Sequence, residues 1–386
     1  MHSINAKYEV RSMKYEVGRK TIVFLLSVCF TVSARAQHLT VCEGKAQGTY
    51  YIIKYLHTDT ATLQPRIDSI FNVIDQSLSL YRPGSLINRF NAGTQVQMDA
   101  HMQAVVTRAL QVSKATGGAF DITVKPLVDA WGFGVVRPAW QGVPPADTLQ
   151  QRLQRTGYHY LQVKGRRLRK RRPGVEIDCN GIAQGYTVDV LARFLEQQGI
   201  DNYLVDVGGE LRARGHNDRR RTWSVGIERP ATDQGNEPVP AVLPLQDRAI
   251  ATSGNYRRFF DQGGTRFAHT IDPHSGQALH NNIISVTVIA RDCITADGFD
   301  NALILMGVEK ALAFIQSHPQ YGLEAYFIYK DREGNTRERY TEGFKQLIAA
   351  KKPRPGIAGT GPHFYSFPRI WTNFSQYANA ILYFPG

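Results

Sequence analysis

The chain has 386 residues, of which 42% are hydrophobic and 20% are charged. It can therefore bury a substantial core, and its composition excludes wholesale disorder. A formal net charge of +13 raises the question of nucleic-acid binding, but much of that charge lies in the first twenty residues and in residues 166–172 and 219–221. Turn-forming residues flank both internal runs and no nucleic-acid-binding motif accompanies them, so we interpret them as solvated hairpins and predict no nucleic-acid partner.

The N-terminus has the features of a secretory signal peptide. Arg19 and Lys20 precede an apolar run at residues 21–32, which is too short to span a bilayer comfortably. A small-x-small cleavage signal follows and ends at Ala36. We therefore predict that residues 1–36 are removed and that the chain is exported, to the periplasm or to the periplasmic face of the inner membrane.

The cysteines offer one alternative to that reading and little other chemistry. Lipidation of Cys29 would tether the protein to the membrane, but Val28 is not the small residue that a bacterial lipobox requires, so this tether is not favoured. Cys42, Cys179 and Cys293 are odd in number and have no CxxC spacing. The sequence thus predicts neither a disulfide framework nor a zinc site.

Helical and strand patterns alternate along the chain without strict βαβ regularity, which predicts an α+β fold with mixed or antiparallel sheets. Runs of β-branched and aromatic residues predict strands at residues 49–55, 203–207, 222–227, 284–290 and 325–330, with a hairpin at 158–178 around Gly165. Apolar periodicity predicts helices at residues 63–74, 102–115, 182–199, 297–306 and 308–317. Residues 229–247 read as a surface insertion and residues 349–386 as a poorly ordered tail.

Two segments combine glycine with polar residues in patterns that packing alone does not require. Residues 117–123 place Asp121 and Thr123 after a Gly-Gly pair, although such a pair also ends an ordinary helix. Residues 178–186 lie at a strand-to-helix junction, where a helix N-terminus can bind phosphate. Alternatively, Asp178 simply caps that helix.

Two further segments carry candidate metal ligands and a candidate base. Asp297, Asp300 and Asn301 fall on one helical face at i, i+3 and i+4, and such oxygen ligands suit magnesium with phosphate oxygens completing the shell. The alternative is a solvated first turn of a helix, but the apolar run from Ala302 favours a ligand role. His269 precedes an Asp-Pro turn and is a candidate general base, or else a structural histidine.

Taken in order, these segments closely resemble the FAD:protein FMN transferase (ApbE) family over about residues 45–347. The motifs that carry the resemblance lie at residues 79–91, 118–123, 178–186, 208–209, 251–256 and 269–276. The resemblance implies an ApbE-like two-part α+β fold over residues 37–348, with mixed or antiparallel sheets flanked by helices and an FAD cleft between the parts. It also implies that FMN is transferred from FAD to a Ser or Thr of an exported acceptor protein, with release of AMP.

The resemblance assigns roles to individual residues. Magnesium would be held by Asp297, Asp300, Asn301 and the main-chain carbonyl of Gly181. His269 would deprotonate the acceptor hydroxyl, which would lie in a motif of the Asp-x-x-Ser/Thr-Gly-Ala-Thr type, for example in a subunit of a membrane redox pump. The residues implied to line FAD are Gln47, Ser79, Ala119, Phe120, Asp121, Asp178, Gln184 and Ile271.

Two departures from the family pattern concern the same site. The family often has Lys where this chain has Gln184, and Thr where it has Asn301.

Two other functions remain open at this point: hydrolysis of FAD to FMN and AMP with water as the nucleophile, and FAD binding without catalysis. A metal-ligand set accompanied by His269 argues against binding alone.

Overall fold

The structure is a computed structural model that describes residues 37–59, 61–227, 241–254, 259–279 and 281–349. The predicted signal peptide, Cys29, residues 350–386 and Tyr256 of the 251–256 motif lie outside the described residues. Among the helices of the described ranges, none is both long and apolar enough to cross a membrane.

Strands and helices alternate along the described chain. The strands are β1 (His38–Ala46), β2 (Thr49–His57), β3 (Gln95–Gln97), β4 (Leu161–Lys164), β5 (Arg167–Lys170), β6 (Tyr203–Val207), β7 (Glu210–Arg214), β8 (Trp223–Ile227), β9 (Ala241–Leu245), β10 (Arg248–Gly254), β11 (Phe259–Gln262), β12 (Thr265–Ala268), β13 (Ile283–Ala290), β14 (Glu324–Lys330) and β15 (Thr336–Tyr340). The helices are α1 (Gln64–Leu78), α2 (Leu86–Ala92), α3 (Ala100–Ala115), α4 (Lys125–Ala130), α5 (Ala146–Leu153), α6 (Asn180–Gln197), α7 (Cys293–Met306), α8 (Val308–Ser317) and α9 (Glu342–Ala349).

An eight-stranded sheet in the order β1-β2-β6-β7-β10-β13-β14-β15 forms the centre of the fold. Its neighbouring strands pair antiparallel throughout. Smaller sheets pair β3-β5-β4, β8-β9 and β11-β12. The α+β class with antiparallel sheets is therefore confirmed.

Helix α7 lies at the centre of the main core. It is apolar around most of its circumference, as is typical of a helix enclosed on all sides. Val286 and Val288 of β13 pack in the same cluster as Phe299 and Leu303 of α7, together with side chains of α3 and α6. On the opposite face of the sheet, Ile289 joins a cluster formed with β8, β9 and α9. The helix that carries the candidate metal ligands is thus held between the sheet and the other helices.

The structure corrects two sequence predictions. Residues 229–247 are not all insertion, because residues 241–245 form β9, with Leu243 and Leu245 buried, and pair with β8. Residues 228–240 lie outside the described part of the chain. The helix predicted at 297–306 begins earlier, at Cys293, because the side chain of Asp292 caps it by accepting a hydrogen bond from the Thr295 amide.

Candidate active site

Helices α6 and α7 cross closely at Gly185. A Cβ atom at this position would lie 2.7 Å from Cβ of Asp297 and would overlap the main-chain carbonyl of Cys293. The Gly185 amide donates a hydrogen bond to Oδ2 of Asp297 at 2.8 Å. Glycine is therefore required for this contact, which brings the Asp297 carboxylate to the N-terminal part of α6.

The same contact alters the first turn of α6. In a regular helix the amide of Gly185 would bond to the carbonyl of Gly181, four residues earlier. Here that amide bonds to Oδ2 of Asp297, and Gly181 has non-helical dihedral angles, with φ −81° and ψ 16°. The Gly181 carbonyl is consequently turned toward α7.

A set of oxygen atoms converges at this point. The side-chain nitrogen of Asn301 donates to the carbonyls of Gly181 at 3.3 Å and Asp297 at 3.1 Å, and to Oδ1 of Asp300 at 2.8 Å. Asp297 and Asp300 are only 4% and 2% exposed. Burial, together with the charge of Asp189, raises the pKa of Asp297 to about 7. The alternative of a solvated first turn is wrong, because both carboxyl groups are buried beyond the helix start.

This oxygen set fits a hard divalent cation. Magnesium takes oxygen ligands, and a cation would compensate two carboxyl groups that are costly to bury in charged form. In the described ranges no group of three or more His, Cys, Asp or Glu residues could hold a metal ion. The oxygen set around Asn301 contains only two such residues, Asp297 and Asp300. Its remaining ligands would be the Gly181 carbonyl and the side-chain oxygen of Asn301, which faces the site when the amide group is flipped by half a turn so that its oxygen and nitrogen exchange places.

Asp189 fixes the start of α7, a function that the sequence did not reveal. Its carboxylate accepts hydrogen bonds from the amides of Cys293 at 3.0 Å and Ile294 at 2.9 Å, and from Nη1 of Arg212 at 2.7 Å. Burial raises the pKa of Asp189, against the opposing effect of these donors. The residues are far apart in sequence, so only the local capping signal at Asp292 could have indicated where α7 begins.

Asp121 holds its own segment together. Its carboxylate accepts bonds from the amide and hydroxyl of Thr123, at 2.8 and 2.7 Å, and from the Tyr158 amide at 2.6 Å. Burial raises its pKa. Phe120, the preceding residue, places its ring 3.5 Å from where a Cβ atom of Gly181 would stand. The segment thus lies beside the oxygen set, and Asp121 keeps it in that position.

Asp178 also has a structural function. Its Oδ1 accepts a hydrogen bond from the Asn180 amide at 2.7 Å, and its own amide donates to the carbonyl of Ile122 at 2.7 Å. Burial raises its pKa. The N-cap residue of α6 is Cys179, which has no side-chain cap bond, so the Asp178 carboxylate closes a turn just before the helix. The bond to Ile122 joins α6 to the segment that contains Asp121.

Gln47 and Ser79 lie at the ends of other elements, whereas Gln184 lies in the second turn of α6. Gln47 occupies the β1–β2 turn with φ 53° and hydrogen-bonds Asp75 of α1, the helix that Ser79 terminates. Within the described chain the buried Oε1 of Gln47 has no hydrogen-bond partner, so this oxygen can accept a hydrogen bond from a ligand. The side-chain nitrogen of Gln184 lies 2.7 Å from where a Cβ atom of Gly208 would stand, so it faces the β6–β7 turn.

His269 belongs to a segment that packs on residues 117–133. Its ring meets that of Phe133 edge-on with centroids 6.4 Å apart, and Ile271 is buried in a cluster with Trp131. Two hydrogen bonds strengthen this packing: Trp131 Nε1 donates to the Gly276 carbonyl at 2.8 Å, and His274 Nε2 to the Gly117 carbonyl at 3.0 Å. The segment at residues 269–276 is therefore joined to the segment at residues 117–133.

Ala119 lies between the turn at Gly118 and Phe120, partly buried against the main core. The structure thus brings Gly181, Asp297, Asp300, Asn301 and Phe120 together. Gln47 and Ser79 meet near Asp75, Gln184 meets the β6–β7 turn, and His269 and Ile271 meet the aromatic cluster around Trp131. The three cysteines of the described chain are buried and unpaired.

Comparison with known proteins gives consistent results. The sequence model described as "ApbE family" matches residues 47–327. The FAD:protein FMN transferase of Vibrio cholerae is 37% identical over 315 residues, which is 80% of this chain and 92% of that protein. That of Escherichia coli K12 is 36% identical over 328 residues, covering 82% and 91%.

Solved structures agree with the sequence comparisons. The flavin transferase ApbE from Vibrio cholerae superposes with a TM-score of 0.74 at 35% identity, over 81% of this chain and 99% of that one. The apo form of the Pseudomonas stutzeri flavinyl transferase ApbE gives a TM-score of 0.73 at 31% identity, over 83% and 100%.

Proposed function

Because this chain belongs to the ApbE family, we propose that it transfers FMN from FAD to a Ser or Thr of another protein, with magnesium, and releases AMP. It is a transferase by that membership. The acceptor residue, the metal dependence and the leaving group are parts of the proposal. The observation that carries it is the convergence of the Gly181 and Asp297 carbonyls and the Asp300 carboxylate on the side chain of Asn301, beside Phe120 and at the N-terminal part of α6.

The reaction replaces the phosphoanhydride linkage of FAD by a phosphate ester to the acceptor hydroxyl. The acceptor hydroxyl attacks the phosphorus of the FMN half, the bond to the bridging oxygen breaks, and that oxygen leaves with AMP. When bound, magnesium would neutralise charge on the pyrophosphate oxygens, held by Asp297, Asp300, Asn301 and the Gly181 carbonyl. The N-terminus of α6 adds amide groups and a positive dipole end on the same side.

His269 is the proposed base. An imidazole exchanges protons near neutral pH, and here the ring is oriented by its edge contact with Phe133. The proton of the acceptor hydroxyl would move to this ring as the new oxygen–phosphorus bond forms. The FAD-lining functions of Gln47, Ser79, Ala119, Phe120, Asp121, Asp178, Gln184 and Ile271 are also part of the proposal, with Asp121 and Asp178 acting through the segments they hold.

The proposed place of reaction is outside the cytoplasm. The support is the charged, apolar and small-residue pattern of residues 1–36, which is typical of a secretory signal peptide. Transfer to an exported acceptor, in the periplasm or at the periplasmic face of the inner membrane, follows from that location.

Mass spectrometry of an acceptor peptide tests the transfer. The protein is incubated with FAD, magnesium and a peptide of the Asp-x-x-Ser/Thr-Gly-Ala-Thr type, and the peptide should gain the mass of FMN. Asp300→Asn removes a buried carboxylate ligand and should abolish the gain, as should a chelator.

His269→Gln should still bind FAD but lower the transfer rate by roughly 100-fold, the usual contribution of a general base. Asp147→Asn, an exposed acid of α5, is the matched control and should transfer normally.

The products distinguish the other two functions. Conversion of FAD to FMN and AMP with an unmodified peptide would make the protein a hydrolase. FAD that stays bound and intact with magnesium present would make it a flavin-binding protein.

A further inference from the structure

The sheet β3-β5-β4 presents a face of cations and amides. The antiparallel register places Gln95 and Gln162 on either side of Arg169, and Gln97 and Lys164 on either side of Arg167. All six side chains are exposed, whereas Leu168 and Lys170 of β5 alternate to the buried side. Arg171 extends the row, since its amide bonds to the Tyr160 carbonyl at 2.8 Å. We define the basic face by these residues: Gln95, Gln97, Gln162, Lys164, Arg167, Arg169 and Arg171.

The positive charge of the basic face is not compensated within the described chain. None of its four cations forms an ion pair there, whereas the buried Lys125 has two acidic partners and Arg212 bonds to Asp189. Lys164 lies directly opposite Arg167. Like charges in cross-strand positions disfavour the sheet, so an anionic partner would relieve a repulsion that the fold leaves in place.

We propose that the basic face binds the anionic headgroups of a phospholipid bilayer. An acidic protein is the other candidate, but protein interfaces have an apolar or aromatic centre. The six paired positions here contain only Gln, Lys and Arg. Electrostatic adsorption to a bilayer requires no apolar centre, only several long cationic side chains at one surface.

Adsorption through this face would hold the active site close to the membrane. Asn91 connects the two regions: its carbonyl accepts a bond from Lys170 Nζ at 2.7 Å, and its side chain exchanges bonds with the main chain of Ile177 at 2.8 and 2.9 Å. Ile177 is followed by Asp178 and α6. β5, which carries Arg167 and Arg169, is therefore joined to the N-terminus of α6 by hydrogen bonds on its buried side as well as by a short stretch of chain.

Co-sedimentation with lipid vesicles tests the proposal. The protein is mixed at low ionic strength with vesicles of phosphatidylcholine alone and with vesicles that also contain about 30% phosphatidylglycerol, and it should sediment only with the latter. Each cation near an anionic bilayer contributes about fivefold to partitioning, so Arg167→Gln/Arg169→Gln should weaken binding by about 25-fold. High salt should have a similar effect on the unsubstituted protein.

A second double substitution controls for net charge. Arg248→Gln/Arg332→Gln removes the same charge from exposed positions of β10 and of the β14–β15 turn, and should change partitioning by less than about twofold. Every variant begins at Gln37, the mature N-terminus that the sequence predicts, so that the apolar run of residues 21–32 does not contribute to binding, and thermal unfolding verifies their folding. Equal losses in both double variants would indicate a net-charge effect and overturn the proposal. So would equal binding to both kinds of vesicle, or binding to an acidic polypeptide such as polyglutamate without binding to either.

Discussion

Gln184 lies near the N-terminus of α6, and its side-chain nitrogen faces the β6–β7 turn at Gly208. The family often has a lysine at this position, so this chain lacks one positive charge on the side where we propose that the pyrophosphate binds. An amide still donates a hydrogen bond. A charged donor, however, makes a hydrogen bond about twice as strong.

Gln184→Lys should therefore lower the KM for FAD. The gain from a charged in place of a neutral hydrogen bond is about 1 kcal/mol, which corresponds to roughly fivefold in KM. Gln184→Met has similar length but no donor and should raise KM. Steady-state kinetics over a range of FAD concentrations measures both, and an unchanged KM in the lysine variant would mean that the phosphates bind elsewhere.

At the scale of elements, the crossing of α6 and α7 depends on a single missing side chain. Gly185→Ala would push a methyl group into the main chain of α7 at Cys293, which cannot move without moving the helix. We expect a loss of about 1–3 kcal/mol in the free energy of unfolding, in spite of the better helix propensity of Ala. Urea denaturation measures this, and isothermal calorimetry should show weaker magnesium binding because Asp297 moves with α7.

Gly298→Ala on the same interface is the matched comparison. Its methyl group would approach the end of the flexible Ile182 side chain at 3.0 Å rather than main-chain atoms. We expect it to be tolerated better than Gly185→Ala. A larger loss at Gly298 would contradict the assignment of the close crossing to Gly185.

Asp189→Ala should displace the start of α7. The substitution leaves the charge of Arg212 without its nearest partner and two amides of α7 without an acceptor. Removing one member of a buried ion pair costs about 3–5 kcal/mol, which urea denaturation would detect. Glu309→Ala breaks an exposed pair with Arg339 and should change stability by about 0.5 kcal/mol at most. Similar effects of the two substitutions would show that Asp189 does not position the helix.

Local patterns predicted the elements better than the contacts between them. The helix at residues 102–115 and the strand at 203–207 were placed within two residues of α3 and β6, because apolar periodicity and β-branched runs are properties of adjacent residues. Asp297 and Asp300 were singled out as neighbours on one helix for the same reason, and the structure shows both buried on α7. The Asp189–Arg212 pair, the bond from Gly185 to Asp297 and the addition of β3 to the basic hairpin were missed, because each joins residues that are distant in sequence.

At the scale of the whole molecule, the proposed site draws on segments from Gln47 to Asn301. The β1–β2 turn, the C-terminal end of α1, the segment around Asp121, the N-terminus of α6 and the middle of α7 all contribute to it. A ligand that contacts these segments can bind only when most of the chain is folded. Ligand binding should therefore stabilise the entire fold rather than one part of it.

FAD and magnesium should stabilise the protein more together than the sum of their separate effects, because the metal is proposed to lie between the protein oxygens and the pyrophosphate. At about 100 times its dissociation constant, a ligand adds about 2.7 kcal/mol to the free energy of unfolding. For a domain of this size, that corresponds to a rise in Tm of roughly 4 °C. Thermal unfolding with neither, either or both ligands measures the effect.

In Asp300→Asn the response to FAD alone should persist and the additional effect of magnesium should disappear. If magnesium instead raised Tm equally with and without FAD, the metal would bind away from the pyrophosphate, and the proposed arrangement of the site would be wrong.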